Sequence, residues 1–307
     1  MINQIKLAII AIMIVIPLSS IVIYTTDSKI QQENTKTKLY VMTSFYPLHE
    51  FAQKVGQDKV DVILLVPVGV EPHDWEPTIQ DVQKMQNADL IVINGIGFES
   101  WVDNLDEINY SGRIIDTSNG IFSKSEQPIK ESIKINSHFQ SNDPHIWLNP
   151  IMAKIQVQNI ADAFSKSDPQ NEKFYQQNAE KYKNELDLLD KKIRNELSNC
   201  THDFIAFHDA FSYFADEYNL SQHSIISSNN PHAEPTAKIL QDIINTAREL
   251  NIKVIFTEET VDHRTSQVIA NEIGGKILVL SPIEIGNDQN YISRMTENLN
   301  NLKEALC

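Results

Sequence analysis

From residue 39 onward, short apolar runs alternate with longer stretches of helical spacing. Leu39 to Ser44 and Val60 to Val66 read as strands, the second β-branched at most positions. Helices are expected from near Leu48, from Thr78 to Asn87 and from Phe98 to Asn104, with a strand from Leu90 to Asn94 between the last two. Arg113 to Asp116 is a further strand, and Gly120 to Asn142 is polar and aperiodic, a surface loop. Helix resumes after Pro150 and runs to about Ser165. Asp168 and Pro169 supply an N-cap and a first-turn proline for another helix, which the pattern carries to Leu197. At roughly 30 residues and about 45 Å, that helix is too long for an ordinary crossover and is expected to act as a spine.

The second half repeats the plan. Asp203 to Phe207, Ser224 to Ser227, Val254 to Thr257 and Ile277 to Leu280 read as strands. Helices are expected over Ala210 to Tyr218, Thr236 to Leu250, Thr265 to Ile273 and Asn290 to Leu306. Strands and helices alternating in this way predict parallel βαβ units. The expected fold class is therefore α/β: two similar lobes with parallel sheets, joined by one long spine helix. Residues 38–150 form the first lobe, 151–199 the helical linker and 200–307 the second lobe. Glu-Pro-Thr occurs at 76–78 and again at 234–236, each time opening a helix, a faint sign of internal duplication.

Ahead of the first strand, Lys6 precedes an apolar run from Leu7 to Tyr24, and a polar stretch follows to Lys38. The run is roughly long enough to cross a bilayer. Residues 1–37 are thus expected to be an export signal or an uncleaved anchor with a polar tether, which places the rest outside the cytoplasm. The formal charge of −15 argues against a nucleic-acid partner, which would require a basic face. Export makes a bond between Cys200 and Cys307 permissible, and two free thiols fit the spacing equally well.

The candidate chemistry lies in the loops. In Asp143-Pro144-His145-Ile146-Trp147-Leu148-Asn149-Pro150 two prolines stiffen a non-helical turn that presents an imidazole beside an indole. His145 there is either a metal ligand or a hydrogen-bonded structural histidine. His73 lies in the proline-rich loop after the second strand, His208 directly follows strand 204–207, and Glu284 follows strand 277–280. Open α/β sheets bind ligands at the carboxyl ends of their strands, and all four residues fall at such places, two from each half. Three imidazoles and one carboxylate suit tetrahedral Zn²⁺ better than Mn²⁺, which favours a carboxylate-rich set.

Several of these segments together resemble the metal-binding solute-binding proteins of zinc/manganese ABC importers, the zinc-uptake branch in particular. The resemblance rests on Tyr46-Pro47, Pro72-His73-Asp74-Trp75-Glu76-Pro77, the Asp143 to Pro150 turn, Phe207-His208-Asp209-Ala210-Phe211-Ser212-Tyr213-Phe214, Leu280-Ser281-Pro282-Ile283-Glu284 and the stretch from Tyr291 to Leu299. It covers residues 38 to 307. It implies a cleft between two lobes that loads one ion on His73, His145, His208 and Glu284, with Asp288 and Glu71 as rivals for the fourth place. It also implies a monomer that hands Zn²⁺ to an ABC-importer permease in the membrane, with no catalysis. A histidine at position 208, where manganese members carry glutamate, favours zinc. Affinity is expected to fall as the histidines protonate below about pH 6.

His49, His202, His223 and His263 are expected to be surface or hydrogen-bonded residues, His232 could face the cleft, and His138 is alone in its loop. Trp75 and Trp147 are expected to wall the site, and Asp143 or Asp209 to accept the second ring proton of a ligand histidine. Competing functions are a manganese receptor, a zinc hydrolase and an adhesin. The hydrolase is disfavoured because His49-Glu50-Phe51-Ala52-Gln53 lacks the last histidine of a zincin helix.

Overall fold

A computed structural model describes residues 38–103, 110, 112–122, 143–226 and 234–307. The export-or-anchor segment 1–37, His138 and His232 lie outside these residues. The described chain forms two α/β lobes. Strands β1 (Leu39–Thr43), β2 (Val60–Leu64), β3 (Leu90–Ile93) and β4 (Arg113–Asp116) form a parallel sheet in the order β2-β1-β3-β4. Strands β5 (Asp203–His208), β6 (Ser221–Ile226), β7 (Val254–Thr257) and β8 (Lys276–Val279) form a second, in the order β6-β5-β7-β8. The two orders are the same when each number is shifted by four, which agrees with the duplication hinted at by Glu-Pro-Thr. Thr78 and Thr236 even do the same work: each caps a helix by accepting the backbone N–H three residues on, from Asp81 and from Ile239.

Both faces of the central strands are covered, so β3 and β7 are buried at every position, whereas the outer strands β2, β4 and β6 carry polar or exposed residues. Successive side chains go to opposite faces. Val41, Leu90, Val92, Phe204, Ala206, Val254 and Phe256 point into one shared core. Met42, Ile91 and Ile93 pack on the outer side of the first sheet, and Ile205, Phe207 and Ile255 on that of the second. Helices α1 (Tyr46–Gly56) and α2 (Ile79–Met85) belong to the first lobe, while α5 (Ser212–Glu217), α6 (Ala237–Glu249), α7 (Arg264–Ile273) and α8 (Tyr291–Leu306) belong to the second, with α3 (Pro150–Ser167) and α4 (Glu172–Leu197) between them.

Helix α4 is the spine. Its buried positions, from Tyr175 through Ala179, Tyr182, Leu186, Leu189 and Ile193 to Leu197, recur at three- and four-residue spacing on one stripe. At 26 residues it is about 39 Å long. Its start differs from expectation: Pro169–Asn171 form a 3-10 turn ahead of the helix, and the Asp168 side chain makes no cap bond to it, with Oδ2 accepting from the Asn171 amide and, at 2.9 Å, from the Tyr175 hydroxyl. Along the spine, Asn178 donates to the Val55 carbonyl of α1 at 3.0 Å, and the Tyr182 hydroxyl reaches Glu50 at 3.1 Å. Glu50 also accepts from the Tyr291 backbone at 2.6 Å, so one buried carboxylate joins α1, α4 and α8.

Three other boundaries move. Strand β6 starts earlier, at Ser221, because it pairs in register with β5 from Asp203 onward. Helix α5 is shorter than expected. Residues 100–103 form a 3-10 turn in place of a helix, since the Glu99 carboxylate turns back onto the N–H groups of Asn94 and Gly95 at 2.7 and 3.1 Å.

Cys200 and Cys307 are joined in a disulfide, which ties the end of α8 to the chain just ahead of β5. The loop it closes spans 107 residues of sequence. A cross-link of that span removes much chain entropy from the unfolded state, and native bonds of this kind typically contribute about 2–4 kcal/mol. The Cys200→Ser and Cys307→Ser variants are expected to lose about that much in urea unfolding, with metal affinity unchanged, because the bond lies ahead of the start of β5 and His208 stands at the other end of that strand.

Candidate metal centre

The turn that carries His145 is stitched to both lobes. Asn149 caps α3 by accepting from the N–H groups of Ile151 and Met152, with Pro150 in the first turn, so the turn must stop where the helix begins. From the first lobe, the Asn94 amide donates to the Pro144 carbonyl at 2.8 Å. From the second, the Tyr213 hydroxyl donates to the Asp143 carbonyl at 2.8 Å, and the Tyr291 hydroxyl to the Trp147 carbonyl at 2.5 Å. The Trp147 indole N–H in turn donates to the Pro282 carbonyl at 2.7 Å. His145 is thereby fixed between the sheets, with no solvent exposure.

His208 is the last residue of β5, His73 sits in the loop after β2, and Glu284 follows β8, so three strand ends deliver side chains to the same turn. One ligand atom from each of His73, His145, His208 and Glu284 lies within 4.8 Å of every other. The Nε2 atoms of His145 and His208 are 3.2 Å apart. Glu284 Oε1 is 3.2 Å from Nε2 of His73, 3.3 Å from that of His145 and 3.8 Å from that of His208. Bonds of about 2.0–2.1 Å around a tetrahedral Zn²⁺ put neighbouring donors about 3.3 Å apart, a spacing that the pairs at 3.2–3.3 Å match and that the wider pairs, up to 4.8 Å, would reach by a small inward shift. His73, with 11% of its side chain exposed, is the donor that solvent reaches first.

The ring orientations have a cause. His145 Nδ1 is 2.7 Å from Asp143 Oδ1, and His208 Nδ1 is 2.6 Å from Glu258 Oε1. An Nδ1–H held by a carboxylate leaves Nε2 to face the centre. The same carboxylates stabilise a second ring proton when no cation is bound. Burial disfavours charge on His145, yet the Asp143 and Glu284 carboxylates outweigh it and push the ring up to about 10. His208 moves up for the same reason, burial being overcome by Glu258 and Glu284. Burial would raise Glu284, but the surrounding imidazoles hold it well below the usual carboxylate range. Proton competition therefore reaches through neutral pH, higher than the window near pH 6 expected from unperturbed histidine.

Of the two proposed ring-proton acceptors, Asp143 has that role and Asp209 does not. The Asp209 carboxylate accepts from Ser212 and Gln222, each at 3.0 Å, and the partner of His208 is Glu258. Glu258 directly follows β7, the same strand-end position that marked His208, and that signal was available in the sequence. Asp288 is exposed and outside the cluster, and Glu71 accepts from the His73 backbone N–H at 3.2 Å. Trp147 packs 5.1 Å from the His145 ring, as a wall should. Trp75 instead stacks edge-on against Trp101 at 5.9 Å, and Phe98 covers His73 at 4.9 Å. His49, His202, His223 and His263 each hydrogen-bond elsewhere, His263 to the Glu258 carbonyl at 3.1 Å.

Residues 41–305 match the family described as zinc-uptake complex component A, periplasmic. The chain belongs to the zinc-uptake component A family. It is 36% identical over 295 residues to the high-affinity zinc uptake system protein ZnuA of Bacillus subtilis (strain 168), covering 92% of each chain. The solved structure of the metal-dependent lipoprotein YcdH from B. subtilis, also 36% identical, superposes with a TM-score of 0.75 over 88% of this chain and 100% of that one. The Zn(II)-bound ZnuA-like domain of Streptococcus pneumoniae AdcA gives 33% identity and a TM-score of 0.74, over 87% and 98%. Whole AdcA is longer, and the match spans 57% of its length.

For this family member, Glu258→Ala is expected to weaken metal binding about 10–100-fold, as loss of a carboxylate behind a ligand imidazole does elsewhere. Asp209→Asn should change it by less than about twofold, since that carboxylate only ties a turn. Titration of the two folded variants with Zn²⁺ checks both.

Proposed function

We propose that the chain is an extracytoplasmic zinc receptor that captures Zn²⁺ on His73, His145, His208 and Glu284 and delivers it to a membrane ABC importer. The observation that carries this reading is the convergence of four donors within 4.8 Å of one another, three imidazole and one carboxylate, with His145, His208 and Glu284 buried and His73 slightly exposed. Such a set supports capture over turnover. Catalytic zinc keeps a coordination position for water, whereas Glu284 Oε1 lies close enough to the three imidazoles to fill that position. The His49-Glu50 pair does not revive a hydrolase, because Glu50 is committed to Tyr46, Tyr182 and Tyr291. A single carboxylate among the donors supports Zn²⁺ over Mn²⁺.

The rest of the reading extends from there. The zinc uptake named for the B. subtilis relative, at 36% identity across nearly the whole chain, supports the importer as partner. On this reading residues 1–37 are an export signal or an uncleaved anchor with a polar tether, 38–150 and 200–307 the two lobes with 151–199 as the helical linker, and the receptor works as a monomer with no nucleic-acid partner.

Elemental analysis of protein purified without added metal, followed by Zn²⁺/Mn²⁺ competition, tests the assignment. Zinc should be retained and preferred, and preferential retention of manganese would reject it. His145→Ala and His208→Ala should each weaken Zn²⁺ binding by more than the roughly 10–100-fold expected of an outer partner. The pH dependence has a definite sign. His145, held up to about 10, carries its extra proton at pH 7 and must lose it to offer Nε2. Zn²⁺ binding should then release protons at pH 7, and affinity should rise with pH by about tenfold per unit for each proton released. Calorimetry in buffers of different ionisation enthalpy measures that release, and a value of zero would contradict the electrostatics described here.

A further inference from the structure

Glu284 sits in a loop whose backbone is held in an unfavourable shape by residues outside the donor cluster. Ile283, fully buried, has φ of 60°. That is the left-handed region, where a β-branched side chain crowds its own backbone and which ordinary residues avoid. Something must keep it there. Ser281 is fastened to α8, its N–H donating to Asn298 Oδ1 at 2.8 Å and its carbonyl accepting from Asn298 Nδ2 at 2.7 Å. The Ser281 hydroxyl accepts the Ile283 N–H at 3.1 Å.

Arg294, in the first turn of α8 and 3% exposed, spans the whole segment. Its Nη2 donates to Ser281 Oγ at 2.7 Å and to Glu259 Oε1 at 3.0 Å, and its Nη1 donates to the Ile285 carbonyl. One planar guanidinium thus grips both ends of Ser281–Ile285, with Glu284 between them. It lies 5.7 Å from the centre of the Tyr46 ring of α1, which braces it from the other lobe. Next to this loop is a cavity of about 90 Å³ that Glu284 and Arg294 line and none of the three histidines does. The carboxylate therefore has space to move into once the grip is lost.

We propose that Arg294 is a positioning residue that governs release of the ion: by holding Ser281 and Ile285 together it keeps the strained loop in the conformation in which Glu284 completes the donor set. When the guanidinium lets go, Ile283 relaxes toward ordinary backbone angles and Glu284 turns away, leaving three imidazoles. The inference rests on the zinc-receptor reading and goes beyond it by naming what controls the off-rate.

The test is a double-mutant cycle on the full chain loaded with Zn²⁺, following release into excess chelator. Arg294→Gln is expected to speed release about tenfold or more, with Arg294→Lys in between and Ser281→Ala showing a smaller effect in the same direction. In a Glu284→Ala background the Arg294→Gln change should shift release by less than about twofold, because the side chain through which it acts is gone. A merely structural arginine would give the same fold-change in both backgrounds, and that result overturns the proposal, as does unchanged release from a folded Arg294→Gln protein. Should Arg294→Gln fail to fold, the Ser281→Ala and Glu284→Ala cycle decides by the same criterion. Wild-type protein that holds no Zn²⁺ overturns the receptor reading and this inference together, whereas a wild type that binds Zn²⁺ but gives an additive cycle overturns this inference alone.

Discussion

A carboxylate buried as deeply as Glu284 stays ionised only when a neighbouring cation offsets the cost of its desolvation; otherwise it takes up a proton. Around Glu284 that cation takes one of two forms. Without metal, protons on the imidazoles supply the positive charge, because Asp143, Glu258 and Glu284 push His145 and His208 up. With metal, a divalent ion replaces those protons. Asp143 and Glu258 serve both states, since a carboxylate on Nδ1 steadies an imidazolium and also makes Nε2 a better donor.

On the proposed donor set, this exchange of one cation for another asks the fold to bring His73, His145, His208 and Glu284 together from two lobes. The two sheets do so by aiming their strand ends at one turn, and the turn does so by bonding to Asn94 on one side and Tyr213, Pro282 and Tyr291 on the other. Behind them, the spine helix and the Glu50 junction tie the lobes through a shared core, so a wide hinge opening would break buried bonds between helices. Glu99 does a similar service within the first lobe. Burial pushes its carboxyl up to about 7, even though it accepts from Ser44, Asn94 and Gly95 beside the turn that carries Phe98.

Much of this was legible in the chain, for reasons that can be named. Val41 and Leu90 belong to strands buried on both faces, and such strands leave continuous apolar runs that need no alternation to be seen. His73, His145 and His208 stand out because each is a single imidazole at a strand end or in a proline-stiffened turn, where few structural roles compete. Glu258 was missed because two adjacent acids after a strand look like solvent-facing charge, and its role depends on how β7 lies against β5. Arg294 was invisible for the same reason: its partners at 259, 281 and 285 meet it only through the packing of α8 against the second sheet. The disulfide could not be chosen from spacing, since only the docking of α8 brings Cys307 to Cys200. Asp168 misled because an N-cap and a side-chain acceptor use the same carboxylate, and Tyr175, one turn on, claimed it.

The donors also differ in how firmly they are held, and that difference bears on direction of transport. His145 and His208 have no exposure and carboxylates at their backs, so moving either would strand a buried ring and a buried acid together. His73 has a partly exposed loop and a ring contact with Phe98, and Glu284 has a strained backbone beside a small cavity. A receptor must bind tightly enough to load from dilute solution and still give up its cargo on demand. Two immobile donors and two displaceable ones satisfy both needs without separating the lobes. On the proposed donor set, the side that carries His73 is the one nearest solvent, while His145 and His208 have no exposure at all.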